Sequence, residues 1–167
     1  FGGDGDLMSD VEVIASDPLK RAGAGRAVLV SRADAPKRKL RNEEALIDAF
    51  ADRGIERLPL GTLNVAQQID VMGEADLVIG AHGAGLTNVM YCRPGTTFVE
   101  INSPSYVKRC RSFADIAMYR RLRYGLVIAD GAPGTTPGAE DVPDIELAHP
   151  DSFERLRALV AELEETP

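Results

Sequence analysis

The residues best suited to chemistry in this sequence are arginines and a glycine-rich run of the kind that binds phosphate. Ser31, Arg32 and Arg38 lie in a basic segment, and the run His82–Asn88 has the sequence HGAGLTN. Guanidinium groups form paired hydrogen bonds with phosphate oxygens, and glycine-rich turns at helix starts expose backbone N–H groups to anions. Glu100 adds a carboxylate that can accept hydrogen bonds from paired ribose hydroxyls. These residue types together indicate a nucleotide site.

The candidate substrate- and nucleotide-binding residues share this phosphate- and ribose-binding chemistry. They are Ser31, Arg32, Arg38, His82, Gly83, Ala84, Gly85, Asn88 and Glu100. His82 is also the one candidate for a catalytic role, because an imidazole can take up or release a proton near neutral pH. A histidine inside such a turn is equally well explained as a hydrogen-bonded structural side chain. The catalytic residue therefore stays unassigned at this point.

Each of these features also has a purely structural explanation. Gly83 and Gly85 can simply allow a helix to pack closely on a sheet. Ser31 can be only a cap, and Glu100 at a strand end can be a solvated side chain. The glycine-rich run fits neither the dinucleotide fingerprint Gly-x-Gly-x-x-Gly nor a Walker-type phosphate loop. No Gly-x-Ser-x-Gly nucleophile elbow occurs either, which disfavours a serine hydrolase.

Short apolar runs separate these features and are typical of the buried strands of a parallel sheet. The predicted strands are Ala27–Val30, Ile55–Leu60, Asp76–Gly80, Thr97–Ile101 and Tyr124–Ala129. Between them, a first helix is predicted from the N-cap Asn42 to Gly54, and a second after the capping pair Asn64 and Gln67. Further helices are predicted over Ala84–Tyr91, Tyr106–Tyr119 and Asp151–Glu164.

Strands that alternate with helices predict an α/β fold: a Rossmann-like, doubly wound, mainly parallel sheet with helices on both faces. Ligands of such sheets bind beside the carboxyl ends of the strands, where the strand order reverses. The basic segment follows the first strand, the run His82–Asn88 follows the third, and Glu100 lies near the end of the fourth. We therefore expect the topology to bring these three groups together.

Length and charge limit the classes of protein that the chain can belong to. Its 167 residues suit one domain or one lobe of a larger enzyme. The net charge of −7 argues against a general nucleic-acid binder. Residues 18–41 nevertheless hold eight basic side chains against one acid. Such a local segment suits a small anionic ligand, or is a solvated basic face.

Cysteine spacing and hydropathy add further limits. The two cysteines lack Cys-x-x-Cys spacing, so no metal site is expected from them. No run approaches the roughly 20 apolar residues that span a bilayer, so no transmembrane segment is expected in this chain. Residues 1–17 are poorly patterned and are predicted to be a leading segment or linker before a donor-binding domain at residues 18–167.

The ordered set of motif residues resembles glycosyltransferase family 61. The set consists of Ser31-Arg32, Arg38, Asn42-Glu43, Gln68, Ala75, the run His82–Asn88, Pro94-Gly95 and Glu100. The similarity runs from about Ala27 to Ile101 and continues more weakly to the final helix. The resemblance implies a two-lobed GT-B architecture, in which the C-terminal lobe binds the nucleotide-sugar donor. This chain corresponds to that lobe alone.

The resemblance also implies a reaction, the inverting transfer of a sugar from a nucleotide-sugar to a glycan or protein acceptor. Arg32, Arg38 and the backbone N–H groups of Gly83 and Ala84 would stabilise the leaving diphosphate. No cofactor and no metal are expected, because GT-B enzymes usually use protein cations instead. The base that activates the acceptor is not assigned.

Other residues of the motif receive supporting roles from the same resemblance. His82 is expected to hydrogen-bond a phosphate or a donor-sugar hydroxyl. Gln68 and Asn88 are expected to brace the glycine-rich turn.

The expected partners are the nucleotide-sugar donor, the acceptor and a missing N-terminal lobe, since the first residue is Phe1 rather than Met. Without that lobe the chain is expected to be inactive alone. The expected location is cytoplasmic for a bacterial protein and the secretory-pathway lumen for a eukaryotic one. The alternative function is a nucleotide-binding module without catalysis of its own. A different Rossmann-like enzyme, such as a methyltransferase or reductase, is disfavoured by the missing glycine fingerprint.

Overall fold

Five parallel strands form the main sheet of the protein, in the order β2-β1-β3-β4-β5. The structure is a computed structural model that describes residues 25–104, 112–131 and 144–165. The strands are β1 (Arg26–Val30), β2 (Glu56–Leu58), β3 (Ala75–Ala81), β4 (Thr97–Asn102) and β5 (Arg123–Ile128). All five predicted strands are therefore present. The predicted leading segment at residues 1–17 lies outside the described residues.

Helices cover both faces of this sheet, which confirms the prediction of a doubly wound α/β fold. The α-helices are α1 (Glu43–Ala49), α2 (Val65–Glu74), α3 (Ser112–Arg120) and α4 (Ser152–Glu165). Within the described ranges, 3₁₀ helices span Ala51–Arg53, Leu60–Thr62 and Ala84–Tyr91. In the described part of the chain, no helix combines the length and the apolar character needed to cross a membrane.

Alternation along the strands divides the core into two layers, because successive side chains of a strand point to opposite faces. Leu29, Leu77 and Ile79 point to the layer that α1 and α4 cover. Val28 and Val78 point to the opposite layer, which α2, α3 and the 3₁₀ helix Ala84–Tyr91 cover. The central strands β3 and β4 are buried on both faces; β3 is apolar except at Asp76, whereas β4 also buries the polar residues Thr97, Glu100 and Asn102.

Several boundaries differ from the predictions for local physical reasons. Strand β2 ends at Leu58 rather than Leu60, because Pro59 follows and has no N–H to donate to a neighbouring strand. Helix α1 ends at Ala49, and a 3₁₀ turn continues to Gly54, whose φ of 59° is left-handed. Helix α3 begins at Ser112 within the described residues, whereas residues 106–111 of the predicted helix lie outside them.

A short antiparallel pair, which the sequence pattern did not reveal, joins two distant parts of the chain. It consists of β6 (Asp130–Gly131) and β7 (Ile145–Glu146). The β7 segment also lies alongside the end of the basic segment: Arg41 N–H donates to the Ile145 carbonyl at 3.0 Å, and Ile145 N–H donates to the Lys39 carbonyl at 2.9 Å. Residues 132–143, a glycine- and proline-rich stretch of the sequence between β6 and β7, lie outside the described residues.

Asn42 takes part in the same contact instead of capping helix α1 as predicted. Its amide donates to the Leu147 carbonyl at 3.1 Å, and its side-chain oxygen accepts from Leu147 N–H at 3.2 Å. It stands at the N-cap position, but its side chain makes no capping hydrogen bond. The basic segment is therefore fastened at its far end by residues about a hundred positions further along the chain.

Candidate functional site

The reversal of strand order lies between β1 and β3, and the predicted site residues gather there. Strand β2 lies on one side of β1, and β3 followed by β4 lies on the other side. A small cavity of about 140 Å³ opens at the carboxyl ends of these two strands. Its walls are formed by Val30, Ser31, Arg32, Asp34, Ala35, Leu60, Gly61, Ala81, Gly85 and Leu86. This is where ligands of doubly wound sheets bind.

The loop after β1 is held in place by a buried carboxylate at the start of helix α1. Glu43 is only 7% exposed, and its oxygens accept from the Ser31 hydroxyl at 2.8 Å and from Arg32 N–H at 3.3 Å. Arg57 forms an ion pair with the same carboxylate at 3.2 Å. The Ser31 oxygen in turn accepts from Ala33 N–H at 3.1 Å. These bonds assign Ser31 and Glu43 to fixing the course of the loop.

The guanidinium of Arg32 joins the loop after β1 to the turn after β3. Its Nε donates to the Arg38 carbonyl at 3.2 Å, and its Nη2 donates to the Lys37 carbonyl at 3.0 Å. On the other side it lies against Gly83, where an added Cβ would come within 1.7 Å of Nη1. The φ of Gly83 is 171°, an extended conformation that any residue adopts. A side chain at position 83 would therefore have to displace Arg32, although the backbone angles of Gly83 would accept one.

Arg38 lies in the same loop and adopts an unusual backbone conformation. Its φ is 60°, in the left-handed region that residues other than glycine rarely occupy. This conformation directs its carbonyl to Arg32, so that the backbone of Arg38 helps to hold the Arg32 side chain. The role of the Arg38 guanidinium in binding a diphosphate stays a prediction.

The turn after β3 forms the start of a 3₁₀ helix, with Gly83 at its N-cap position. Leu86 N–H donates to the Gly83 carbonyl at 2.9 Å, which leaves the N–H groups of Ala84 and Gly85 ahead of the first helical hydrogen bond. Gly85 also has a packing role, since an added Cβ would lie 3.3 Å from Val30 Cγ1. The turn therefore has backbone N–H groups that precede the first hydrogen bond of the helix, and it also packs closely on β1.

Two amides near the cavity support different parts of it. Asn88 donates to the Gly85 carbonyl at 3.1 Å, so it braces the glycine-rich turn. Gln68 donates to the carbonyls of Leu60 and Leu63 at 3.0 and 2.9 Å. Gln68 therefore supports the 3₁₀ loop that lines the cavity, which corrects the expectation that it braces the same turn as Asn88.

Below the turn, His82 and Glu100 form a buried pair. They are 6% and 3% exposed, and His82 Nδ1 lies 2.5 Å from Glu100 Oε1. Asn102 donates to the same Glu100 oxygen at 2.8 Å, and the Tyr124 hydroxyl donates to Oε2 at 2.7 Å. Glu100 is thus surrounded by side chains of the protein. Both of its oxygens accept from internal donors, and the expectation that the carboxylate meets ribose hydroxyls stays a prediction.

Sequence reasoning missed Asn102 and Tyr124 as members of the site. Glu43 belongs to the motif set, but no role was predicted for its carboxylate. Polar residues in a central strand such as β4 are a usable signal, because a buried polar group needs partners. The identity of those partners depends on the register that pairs β4 with β5, which no local pattern reveals.

Among the residues that the structure describes, the site has neither a cluster of metal-binding side chains nor a reactive thiol. Within the described ranges, no three His, Cys, Asp or Glu side chains lie together as metal ligands would. Cys92, at the end of the 3₁₀ helix, is fully buried, and burial raises the pKa of its thiol to about 12. Its thiol is therefore protonated at neutral pH and acts as a small apolar side chain.

Comparisons with known proteins point to one family. The family model for glycosyltransferase 61 matches residues 10–99, which is more than half of the chain. A β-1,2-xylosyltransferase, RCN11, from Oryza sativa subsp. japonica is 38% identical over 80 residues, which cover 48% of this chain and 14% of that protein. A β-1,2-xylosyltransferase from Arabidopsis thaliana is 30% identical over 99 residues, which cover 52% of this chain and 18% of that protein.

The chain thus matches less than a fifth of the length of either plant enzyme. The matched family range includes the whole cavity wall between β1 and β3 and ends one residue before Glu100. On the match to residues 10–99, the chain belongs to the glycosyltransferase 61 family of enzymes.

Proposed function

We propose that this chain is the donor-binding lobe of an inverting glycosyltransferase of GT-B architecture. The observation that carries the proposal is the contact between Arg32 and Gly83 at the reversal of strand order. There a half-buried guanidinium, held by two carbonyls, lies beside the N–H groups that begin a glycine-rich 3₁₀ helix. Fixed cations beside backbone N–H groups are what a diphosphate requires.

The diphosphate gains negative charge as the sugar leaves, and preorganised donors beside it would stabilise that charge. Arg32 and Arg38 supply positive charge, and the N–H groups of Gly83 and Ala84 supply dipoles. Because Arg32 is already held by the Lys37 and Arg38 carbonyls, little reorganisation is needed during the reaction. Removal of one such donor typically slows an enzyme by about 100- to 1,000-fold.

The bond changes of the proposed reaction are those of an inverting substitution. The oxygen of an acceptor hydroxyl attacks the anomeric carbon from the face opposite the diphosphate. The bond between that carbon and the diphosphate oxygen breaks, and the nucleoside diphosphate leaves with the electron pair. The hydroxyl proton passes to a base that we leave unassigned. The acceptor is a glycan or a protein.

The names of the two plant relatives suggest the sugar. Both are β-1,2-xylosyltransferases, so we propose a nucleotide-xylose as the donor. Both are also eukaryotic proteins, which favours the secretory-pathway lumen over the cytoplasm. The cavity of about 140 Å³ is smaller than the roughly 300–1,000 Å³ of complete small-molecule sites. A facing N-terminal lobe would complete the site and hold the acceptor.

A second candidate function is a nucleotide-binding module without catalysis of its own. It uses the same diphosphate site and therefore predicts the same nucleotide affinity. The two candidates differ in turnover: only a transferase, assayed with its full complement of domains, converts a nucleotide-sugar and an acceptor into product and free nucleotide.

Calorimetry on the 167-residue chain tests the binding step common to both candidates. UDP, GDP and CMP are titrated into the wild type and into Arg32→Ala and Arg38→Ala. A hydrogen bond to a charged group contributes about 1.5–3 kcal/mol, so each variant should weaken binding about 10- to 100-fold.

Arg41→Ala is the matched control. It removes the same charge from the same basic segment, but its guanidinium is 51% exposed and pairs with Asp144 at 3.6 Å. We expect it to change affinity less than about threefold, since an exposed charge interaction is weak. Equal losses in all three variants would mean that only net charge matters, and unchanged affinity in Arg32→Ala and Arg38→Ala would contradict the proposed site.

A further inference from the structure

The loop after β1 brings a carboxylate to the wall of the cavity. Asp34 belongs to a turn that Ala35 N–H closes by donating to the Arg32 carbonyl at 2.9 Å. Asp34 and Gly61, a residue of the 3₁₀ helix that follows β2, both line the cavity. A Cβ added to Gly61 would lie 2.8 Å from Asp34 Oδ2. The carboxylate therefore lies on the β2 side of the cavity, close to the wall that Gly61 forms.

The surroundings of Asp34 differ from those of the other carboxylates near the cavity. Glu43 and Glu100 are buried, and both accept hydrogen bonds from internal donors. Asp34 is exposed, and within the described ranges of the chain its side chain makes no hydrogen bond or ion pair. Of these three acids, only Asp34 lines the cavity. Its oxygens can therefore accept hydrogen bonds from a ligand in the cavity.

Opposite charges lie on opposite sides of the loop after β1, because β1 stands between β2 and β3. The Arg32 guanidinium lies against Gly83, after β3, whereas Asp34 Oδ2 lies beside Gly61, after β2. Neighbouring strands are about 4.8 Å apart, so two strand spacings separate these contacts by about 10 Å. A ligand that contacts both side chains therefore needs a negative group at one end and hydrogen-bond donors at the other.

We propose that the Asp34 carboxylate accepts hydrogen bonds from the ribose hydroxyls of the donor nucleotide. The inference rests on the proposed function, which assigns the diphosphate to Arg32. A carboxylate has only acceptors, so it repels phosphate oxygens and recognises hydroxyl or N–H groups. The ribose of a nucleoside diphosphate is bonded to the diphosphate through its 5′ carbon and carries hydroxyls on its 2′ and 3′ carbons. Two adjacent hydroxyls match the two oxygens of one carboxylate.

This contact determines how the nucleotide lies across the sheet. The nucleoside extends over β2, the diphosphate lies over β1 and β3, and the transferred sugar is left on the β4 side. An acid that accepts from a ribose hydroxyl recurs in doubly wound nucleotide sites. The sequence predicts this role for Glu100, which does not line the cavity. The assignments to Asp34 and to Glu100 are alternatives that one experiment separates.

Calorimetry with UDP and 2′-deoxy-UDP tests the contact with ribose. A hydrogen bond from the 2′ hydroxyl to a carboxylate should make the wild-type chain bind UDP about 10-fold or more tightly than 2′-deoxy-UDP. Asp34→Ala should weaken UDP binding about 10- to 100-fold and reduce the preference for UDP to less than about threefold. Urea denaturation of the exposed-site variant should match the wild type and so exclude a folding defect.

Pyrophosphate, which has no ribose, separates a direct contact from an effect of charge. Removal of an acid near an anion site reduces repulsion. Asp34→Ala should therefore bind pyrophosphate as tightly as the wild type, or up to about fivefold more tightly. Weaker binding of UDP together with undiminished binding of pyrophosphate requires a contact between Asp34 and the nucleoside. Weaker binding of pyrophosphate in this variant would overturn the proposal.

Two further variants are controls. Asp48→Ala removes the same charge from an exposed position of helix α1 that does not line the cavity, and it should leave the preference for UDP unchanged. Glu100→Gln should also keep that preference. Its loss in Glu100→Gln would assign the ribose to Glu100 and overturn the proposal for Asp34.

The outcomes separate this inference from the proposed function. Equal weakening of UDP and 2′-deoxy-UDP in Asp34→Ala, or no preference in the wild type, would overturn the inference. An effect on UDP-xylose without an effect on UDP would assign Asp34 to the transferred sugar and overturn it as well. In each case the proposed function stands if Arg32→Ala weakens the binding of UDP and pyrophosphate. If the wild type binds neither, the proposed function fails and the inference fails with it.

Discussion

Replacement of Gly83 by alanine should displace the Arg32 guanidinium without disturbing the backbone of the turn. The added Cβ would lie 1.7 Å from Nη1 and 2.5 Å from Cζ of Arg32. Since carbon and nitrogen atoms pack at about 3.5 Å, the guanidinium must move by about 2 Å. The extended φ of 171° is compatible with alanine, so the Arg32 side chain has to give way.

The effect on stability should be small and the effect on ligand binding large. Arg32 would lose its hydrogen bonds to the Lys37 and Arg38 carbonyls, at 3.0 and 3.2 Å. Each hydrogen bond from Arg32 to a neutral carbonyl contributes about 0.5–1.5 kcal/mol to stability. The displaced guanidinium, which is only half-buried, can form hydrogen bonds with water that offset part of this loss. We expect the free energy of unfolding to fall by about 1 kcal/mol. A misplaced cation loses its contact with the diphosphate, so the Kd for UDP should rise about 10- to 100-fold.

The assay pairs urea denaturation with calorimetry of UDP binding. The control is Gly73→Ala, since Gly73 lies inside helix α2 and an added Cβ there meets nothing within 4 Å. That substitution should raise the free energy of unfolding by about 0.5–1 kcal/mol and leave Kd unchanged. A double variant, Gly83→Ala with Arg32→Ala, tests whether the two changes act through the same group.

We expect the double variant to bind UDP with the same Kd as Arg32→Ala alone, because both substitutions remove one guanidinium from the site. Additive losses would show that Gly83 acts on the ligand by another route. Wild-type affinity in Gly83→Ala, with Arg32 displaced, would refute the assignment of Arg32 to the diphosphate.

Two further predictions concern catalysis and the buried thiol. If the proposed two-lobed architecture is correct, the 167-residue chain alone should bind a nucleotide-sugar but transfer no sugar. Positioning of the acceptor supplies up to about 7–11 kcal/mol of such a barrier, and the proposal assigns that positioning to a facing lobe. Robust transfer by the chain alone, measured with nucleotide release as the control, would show that the acceptor site lies within it. In a Cys110→Ser variant, Cys92 should react with a maleimide at pH 8 far more slowly in the folded chain than in urea, because burial raises its pKa to about 12. Equal rates would contradict the buried, protonated state.

The layout of the fold could be predicted because its signals are local. Apolar runs of strand length identified all five strands, and the pair Asn64 and Gln67 forms the predicted capping box, with both hydrogen bonds at 2.9 Å. Helix α4 begins and ends within a residue of the prediction. Each of these features depends on residues a few positions apart in the chain, so a short stretch of sequence is enough to predict it.

The features that the sequence did not predict depend instead on contacts between residues that are far apart in the chain. Asn42 has the residue type of an N-cap, but the backbone of Leu147 takes both of its hydrogen-bonding groups. Glu100 lies near the carboxyl end of β4, as predicted, but the hydrogen-bond partners of its carboxylate come from the turn after β3 and from β5. Strands β6 and β7 have two residues each, too short for a periodic pattern. Such contacts follow from register and packing, which a local pattern does not contain.

The fastening of the basic segment by residues 144–147 has a consequence for the order in which the site can form. Lys39 N–H donates to Asp144 across 105 positions, and the amide of Asn42 spans the same separation. Contacts this distant in sequence are closed late in folding, since the entropy of a long loop must first be lost. During synthesis, β1 to β4 can pair before Asp144 has left the ribosome, while the loop that carries Arg38 still lacks its anchor. We therefore expect the chain to gain affinity for phosphate only at the end of folding. We also expect substitutions near Leu147 to alter that affinity, although they do not contact the ligand.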